Sequence, residues 1–182
     1  MKKTNVYQMA TCAIMAALLC VLAPLALPIG PVPISLATLV VYLAAYILEP
    51  KWSVVSVAVY LLLGLVGLPV FSGGKAGVGT LVGPTGGYLI GYLFLALISG
   101  IFIHKVGNGI ALSVVGMIIA TAVLYLFGTV WFVKMMDTDV AYAMSVCVLP
   151  FIPGDIIKIV AATLLGKAVT KALNKADLLP QA

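Results

Sequence analysis

Charged residues are so rare along this chain that they exclude most folds. No Lys, Arg, Asp or Glu occurs between Lys3 and Glu49, and charged residues make up only 8% of the 182 residues, against 64% hydrophobic ones. Soluble domains carry about 25% charged and about 45–50% apolar residues. A soluble globular protein is therefore excluded, and long apolar runs favour an all-α membrane protein over a β-barrel, whose strands alternate polar and apolar residues.

The apolar runs are long enough to predict six transmembrane helices in a single domain, residues 1–182. A spanning helix needs about 20 apolar residues. The predicted spans are Met9–Leu27, Ile34–Leu48, Trp52–Leu68, Gly86–Ile103, Gly109–Val133 and Ala141–Leu165. The second run is short, so it must be tilted or covered by neighbouring segments.

The lysines lie singly between the apolar runs, which is a topology signal and not the basic face of a nucleic-acid binder. With the N-terminus in the cytoplasm, seven lysines fall inside and only Lys75 and Lys134 fall outside, as the positive-inside rule requires. The inner lysines are Lys2, Lys3, Lys51, Lys105, Lys167, Lys171 and Lys175. An even number of spans then places both termini in the cytoplasm.

Two apolar loops on the predicted outer side are rich in proline or glycine. Four prolines occur between Pro24 and Pro33, and the segment Gly67–Gly87 holds eight glycines and one charge. The second loop lacks a phosphate-loop motif, because Ala76 follows Gly74-Lys75 where Ser or Thr is required. Irregular backbone at membrane depth is tolerated where it packs on protein or lines a cavity. The two loops are predicted to form a lid over a pocket.

The strongest candidate for function is Asp155 with Lys158 in the last predicted span. They follow Pro153-Gly154, where the helix is interrupted or begins, and the i, i+3 spacing places them on one helix face. A charge at bilayer depth is costly and marks a functional site by default. The alternative is an ion pair that only fixes the orientation of the helix.

Small residues mark two faces for helix contact. Gly83, Gly87 and Gly91 recur every four residues, and Ala13 and Ala17 form an A-x-x-x-A pair in the first span.

Nothing in the sequence supports catalysis or metal binding. No nucleophile–base pair and no metal-ligand spacing occurs. The odd number of cysteines fits no disulfide framework, and buried, inert thiols are expected. The cysteines are Cys12, Cys20 and Cys147.

Three segments together resemble the BioY family of biotin-specific substrate-binding (S) components of energy-coupling factor (ECF) transporters. They are Gly64–Gly74, Gly83–Tyr92 with its Gly-Pro-Thr-Gly-Gly-Tyr run, and Pro153–Lys158. The resemblance covers essentially the whole chain. It implies the six-helix S-component fold in a bacterial-type cell membrane, tight capture of biotin from the outside, and no enzymatic activity or cofactor.

The resemblance also implies partners. S components work with a transmembrane coupling subunit and two cytoplasmic ATPases, and the face that carries Ala13 and Ala17 contacts the coupling subunit. The sequence has no nucleotide-binding motif, which agrees with ATP hydrolysis by separate subunits.

With biotin as the ligand, the ureido head offers two N–H donors to Asp155 and one carbonyl acceptor to Lys158. The valerate carboxylate then meets backbone N–H groups of the glycine loop or Lys75. In the competing assignment Lys158 binds the carboxylate, and the sequence does not choose between them. The predicted wall residues are Phe71, Gly73, Gly79, Thr85 and Tyr88. The loops Pro24–Ile34 and Gly67–Thr85 are expected to exclude water.

Two other functions stay open at this point. One is an autonomous channel or small secondary transporter, which favours internal repeats and several intramembrane ionisable groups. The other is an S component for a different vitamin.

Overall fold

The computed structural model describes residues 3–27, 32–106 and 109–176, and this part of the chain is mostly helical. The helices are α1 (Lys3–Leu22), α2 (Ala37–Ile47), α3 (Pro50–Leu65), α4 (Val78–Leu81), α5 (Gly86–Ile101), α6 (Ile110–Met136), α7 (Val140–Cys147) and α8 (Ile152–Lys175). A 3₁₀ turn covers Ser72–Gly74, and a π-helical turn, Phe102–Val106, continues α5. The predicted all-α membrane class is confirmed.

The first predicted span is wrong at its end. Helix α1 stops at Leu22, and Ala26–Leu27 instead forms strand β1, which pairs antiparallel with β2, Ile34–Ser35. Pro24 causes the break, because proline supplies no backbone donor and its ring clashes with the preceding turn. The rest of the predicted proline loop, residues 28–31, lies outside the described residues.

The last predicted span is two helices and not one. Helices α7 and α8 meet at 47° across the break at residues 148–151. Pro150 lies in the break and Pro153 in the first turn of α8, where a missing N–H costs nothing. The proline and glycine that predicted an interruption therefore start α8 just before its charged pair.

Helix length supports fewer full spans than the sequence predicts. In the described ranges, Gly86–Val106 and Ile110–Met136 are each long and apolar enough to cross a membrane, and the bent pair α7–α8 counts as a third only if its two helices form one span. Helix α2 has 11 residues and is about 16 Å long at 1.5 Å per residue. The count of six spans and the cytoplasmic termini stay predictions.

Close packing of α5 on α6 fixes the centre of the bundle. A Cβ atom at Gly87 would lie 2.3 Å from Cβ of Trp131, and one at Gly91 would lie 2.6 Å from Cδ1 of Leu124. The predicted small-residue contact between helices is thus confirmed at these two positions. At Gly83 a Cβ atom would instead meet its own loop, 2.8 Å from the carbonyl oxygen of Gly79.

The core and the outer surface are both apolar. Tyr42, Tyr60, Phe71 and Phe132 are fully buried, while large apolar side chains such as Ile157 are exposed on the helix faces that point outward. An exterior of this kind suits lipid and not water. Among the described residues the three cysteines are unpaired, with Cys12 and Cys147 buried and Cys20 half-buried.

Candidate ligand-binding site

A buried ion pair lies at the start of α8. Asp155 occupies the first turn of the helix, where the unpaired N–H groups and the helix dipole favour a carboxylate. Lys158 follows one turn later, and its Nζ lies 2.9 Å from Oδ1 of Asp155. The two residues are only 4% and 9% exposed. Two charges thus lie inside an apolar bundle, where each needs further hydrogen bonds.

Two neighbouring helices supply those hydrogen bonds. The Thr38 hydroxyl of α2 donates to Asp155 Oδ1 at 3.3 Å and lies 3.1 Å from the Lys158 ammonium, which donates to it. The Tyr125 hydroxyl of α6 donates to Asp155 Oδ2. The carboxylate is therefore well satisfied, whereas the third N–H of Lys158 has no partner in the described part of the chain. This N–H can bind an acceptor on a ligand.

Two adjoining cavities lie between the pair and the glycine loop. The pair cavity and the loop cavity are both narrow, with a volume of about 30 Å³ each. Both share Val32, Pro33, Tyr88 and Tyr92 as walls. This volume is far below the about 300–1,000 Å³ of small-molecule sites, so the walls must move apart to admit a whole ligand.

The remaining walls differ between the two cavities. The pair cavity adds Ser35, Thr38, Leu124, Tyr125, Phe151, Asp155 and Lys158. The loop cavity adds Phe71, Ser72, Lys75, Thr80, Thr85 and Leu89.

Tyr88 is held rigidly between the cavities. Its hydroxyl lies 3.1 Å from Oγ1 of Thr129 and donates to the carbonyl oxygen of Cys147 at 3.3 Å. A Cβ atom at Gly128 would lie 2.4 Å from Cε1 of the Tyr88 ring, so only glycine leaves room for the ring there. Tyr92 lies one turn further along α5 on the same face. The middle of the site is therefore aromatic, and the position of one of its rings is fixed by packing and hydrogen bonds.

The structure brings together five of the seven predicted ligand residues. Asp155 and Lys158 line the pair cavity, Phe71 and Thr85 line the loop cavity, and Tyr88 lines both.

The remaining two predicted wall residues line neither cavity. Gly79 is exposed in α4, and Gly73 is exposed in the 3₁₀ turn with a φ of 73°. The left-handed backbone explains why glycine is needed at this turn. The Gly73 N–H donates to the carbonyl oxygen of Pro24 at 3.2 Å, so it ties the glycine loop to the chain after α1.

Sequence reasoning missed several wall residues, among them Tyr92, Tyr125 and Thr38. Tyr92 could have been found from its i+4 spacing to Tyr88, which places both on one helix face. Tyr125 lies in mid-helix and not at a span end, which is a weak sign of an internal role. Thr38 gives no signal, because one hydroxyl in an apolar helix reveals nothing of its partner.

The charges of the two cavities differ. The pair cavity holds one carboxylate and one ammonium, so its net charge is zero. The loop cavity holds the exposed Lys75, which has no carboxylate within ion-pair distance among the described residues, where Asp155–Lys158 is the only salt bridge. In the ranges that the structure describes, no group of His, Cys, Asp and Glu could hold a metal ion. The geometry suits a ligand with a neutral polar head, an apolar middle and an anionic end.

The predicted partner face is exposed. Ala13 and Ala17 lie on the outer side of α1, whereas Ala16, at the edge of this face, is buried. The same face of α1 also includes Ala10 and Ile14, which are exposed as well. The face is thus smooth and open to another helix.

Comparisons with known proteins agree on one family. The model of the BioY family matches residues 1–175. The biotin transporter BioY2 of Lactococcus lactis subsp. cremoris is 34% identical over 174 residues, 96% of this chain and 96% of that protein. The biotin transporter BioY of Thermotoga maritima is 37% identical over 164 residues, 90% of this chain and 96% of its own.

A solved structure matches the fold at similar coverage. It is the crystal structure at 2.1 Å of the S-component for biotin from an ECF-type ABC transporter. The TM-score is 0.86 at 29% identity, over 94% of each chain.

Replacing Lys158 with Met should strongly lower the thermal stability of the ligand-free protein. Asp155 would remain as an uncompensated buried charge, which costs about 3–5 kcal/mol. The double variant Asp155→Leu/Lys158→Met should recover much of this loss, because apolar residues replace the whole pair. Thermal unfolding in detergent measures both. A single variant as stable as the wild type would show that the pair is not buried as described.

Proposed function

The chain belongs to the BioY family, and we propose that it captures biotin in the two adjoining cavities as the S component of an ECF-type transporter. It is accordingly a multi-pass protein of the cell membrane. The observation that carries the proposal is the buried Asp155–Lys158 pair at the end of an aromatic cavity, in a chain that aligns almost end to end with a biotin S component. Biotin is the transported substrate and not a cofactor, and the site binds without catalysing a reaction.

The pair cavity suits the ureido head of biotin. This head is neutral, with two N–H donors and one carbonyl acceptor. Asp155 can accept from an N–H, and the unused N–H of Lys158 can donate to the carbonyl. Because the pair has no net charge, a neutral polar group leaves no buried charge uncompensated.

The loop cavity suits the valerate carboxylate. Lys75 lies there without a carboxylate partner in the described part of the chain, so it contributes a full positive charge. A ligand carboxylate at Lys158 would instead approach Asp155, whose Oδ1 is only 2.9 Å from Nζ of Lys158. Repulsion between the two anions disfavours that arrangement. We therefore place the carboxylate at Lys75 and the fused rings against Tyr88 and Tyr92.

The two loops close the site from the same side. Phe71 and Ser72 of the glycine loop and Val32 and Pro33 before β2 form its outer walls. Water excluded by these walls would otherwise compete for the hydrogen bonds of the pair.

We assign the exposed face of α1 to the coupling subunit. Small side chains at Ala13 and Ala17 let another helix approach closely. Because the glycine loop lacks a nucleotide-binding motif, the energy for release must come from the partner module with its two ATPases.

Biotin titrated calorimetrically into the ligand-stripped protein should bind near one per chain, while riboflavin and thiamine should not bind. Asp155→Asn and Lys158→Ala should each weaken the affinity for biotin about thirtyfold or more, because a lost charged hydrogen bond costs about 2 kcal/mol. Lys134→Ala, which changes an exposed lysine outside both cavities, is the control. Wild-type affinity in both site variants would make the pair purely structural, and no binding by the folded wild type would refute the biotin assignment.

The orientation of the ligand has its own test. Lys75→Ala should weaken the affinity for biotin about tenfold but leave the affinity for biotin methyl ester unchanged, since the ester has no negative charge to pair with Lys75. Calorimetry on both ligands measures the difference. If Lys158→Ala, and not Lys75→Ala, discriminates biotin from its ester, the carboxylate lies at Lys158 and the proposed orientation is wrong.

The partner face is tested by a bulky residue. Ala17→Trp should abolish co-purification with the coupling subunit while leaving biotin affinity unchanged, because the indole prevents close helix approach. Ala111→Trp, at an exposed alanine on α6, is the matched control. If the Ala17→Trp variant co-purifies with the coupling subunit as the wild type does, α1 is not part of the interface.

A further inference from the structure

A second polar groove lies at the far end of α8, away from the ligand cavities. Lys167, Thr170, Lys171 and Asn174 line it at the spacing i, i+3, i+4 and i+7, which places them on one helix face. Lys167 is 12 residues after Asp155, or about 18 Å along the helix. The groove is open, with a volume of about 450 Å³.

The floor of the groove is built by a glycine and a tyrosine. A Cβ atom at Gly166 would lie 2.5 Å from Cγ of Tyr46, so only glycine lets the Tyr46 ring pack against α8. Tyr46 is 5% exposed and lines the groove. Its buried hydroxyl has no hydrogen-bond partner among the residues that the structure describes. Such a group is costly unless something binds to it.

The π-helical turn presents a histidine on the opposite wall. Nε2 of His104 lies 2.9 Å from the carbonyl oxygen of Ala45. Because a carbonyl can only accept, Nε2 carries the hydrogen, and Nδ1 remains for another contact. π-Helical turns within α-helices occur frequently at functional sites.

The residues that line the groove in the described part of the chain include two lysines and no carboxylate. Lys167 and Lys171 form no ion pair in the described ranges, where Asp155–Lys158 is the only one. The Thr170 hydroxyl donates to the carbonyl oxygen of Gly166 at 2.8 Å, so it offers only lone pairs. The donors left for a ligand are the two ammonium groups and the Asn174 amide. This set is suited to an anion with several acceptor oxygens.

We propose that this groove binds the phosphate headgroup of an anionic phospholipid. Phosphate supplies the acceptor oxygens, and a basic pocket between membrane helices is a known arrangement for such headgroups. The outer side of α8 near the groove exposes Leu164, Leu165 and Val169, which acyl chains can cover. The site is independent of the biotin cavities.

Native mass spectrometry of delipidated protein titrated with phosphatidylglycerol tests the proposal. The wild type should retain one phosphatidylglycerol per chain. Lys167→Gln/Lys171→Gln should weaken binding about thirtyfold, since each lysine contributes about 1 kcal/mol of attraction. Lys51→Gln/Lys105→Gln removes two cations that do not line the groove and should bind as the wild type does. Biotin titration of each variant confirms that it is folded.

Three results would overturn the proposal. The first is an equal loss of phosphatidylglycerol binding in the two double variants, and the second is equal retention of zwitterionic phosphatidylcholine by the wild type. The third is displacement of phosphatidylglycerol by inorganic phosphate at similar concentration, which would make the groove a site for a soluble anion. A measurement on the wild type needs no variant. Photoreactive phosphatidylglycerol should label residues 166–174, and labelling confined to other segments would also refute the site.

Discussion

A carboxylate and an ammonium among apolar helices cannot be left without partners, because desolvation costs several kcal/mol per ion. Asp155 and Lys158 meet this requirement through each other, through Thr38 of α2 and through Tyr125 of α6. The pair therefore fixes three helices relative to one another before any ligand arrives. Because the side chains at the polar end are already ordered, less conformational entropy is lost when a ligand binds there. The hydrogen bonds that stabilise the two buried charges thus also determine the shape of the site.

The aromatic middle of the site depends on how closely α5 and α6 approach. Gly87 and Gly91 on one helix and Gly128 on the other remove the side chains that would hold them apart. The space at Gly128 is filled by the ring of Tyr88, whose hydroxyl is then fixed between α6 and α7. Glycines here determine the position of a large side chain and not the flexibility of the backbone. The same device recurs at Gly166, which admits the ring of Tyr46 beside α8.

Much of this arrangement could be predicted from sequence because charge at membrane depth is rare and costly. The membrane class, the Asp155–Lys158 pair and the contact glycines Gly87 and Gly91 follow from that rarity or from helical spacing. The hydroxyl partners Thr38 and Tyr125 do not, since which residues face each other is decided by tertiary packing. Glycine in a loop is ambiguous as well. At Gly73 it serves a left-handed turn, which the sequence alone does not distinguish from close approach to a ligand.

A backbone hydrogen bond from Gly73 to Pro24 couples two loops that are far apart in sequence. If both loops cover the bound ligand, neither can lift without breaking this bond or carrying the other along. Entry and exit of ligand would then share one cooperative step, whose frequency limits both rates. Tight retention in such a site comes mainly from slow escape and not from fast capture. The residence time of the ligand would therefore respond to changes in the loop backbone that touch no ligand atom.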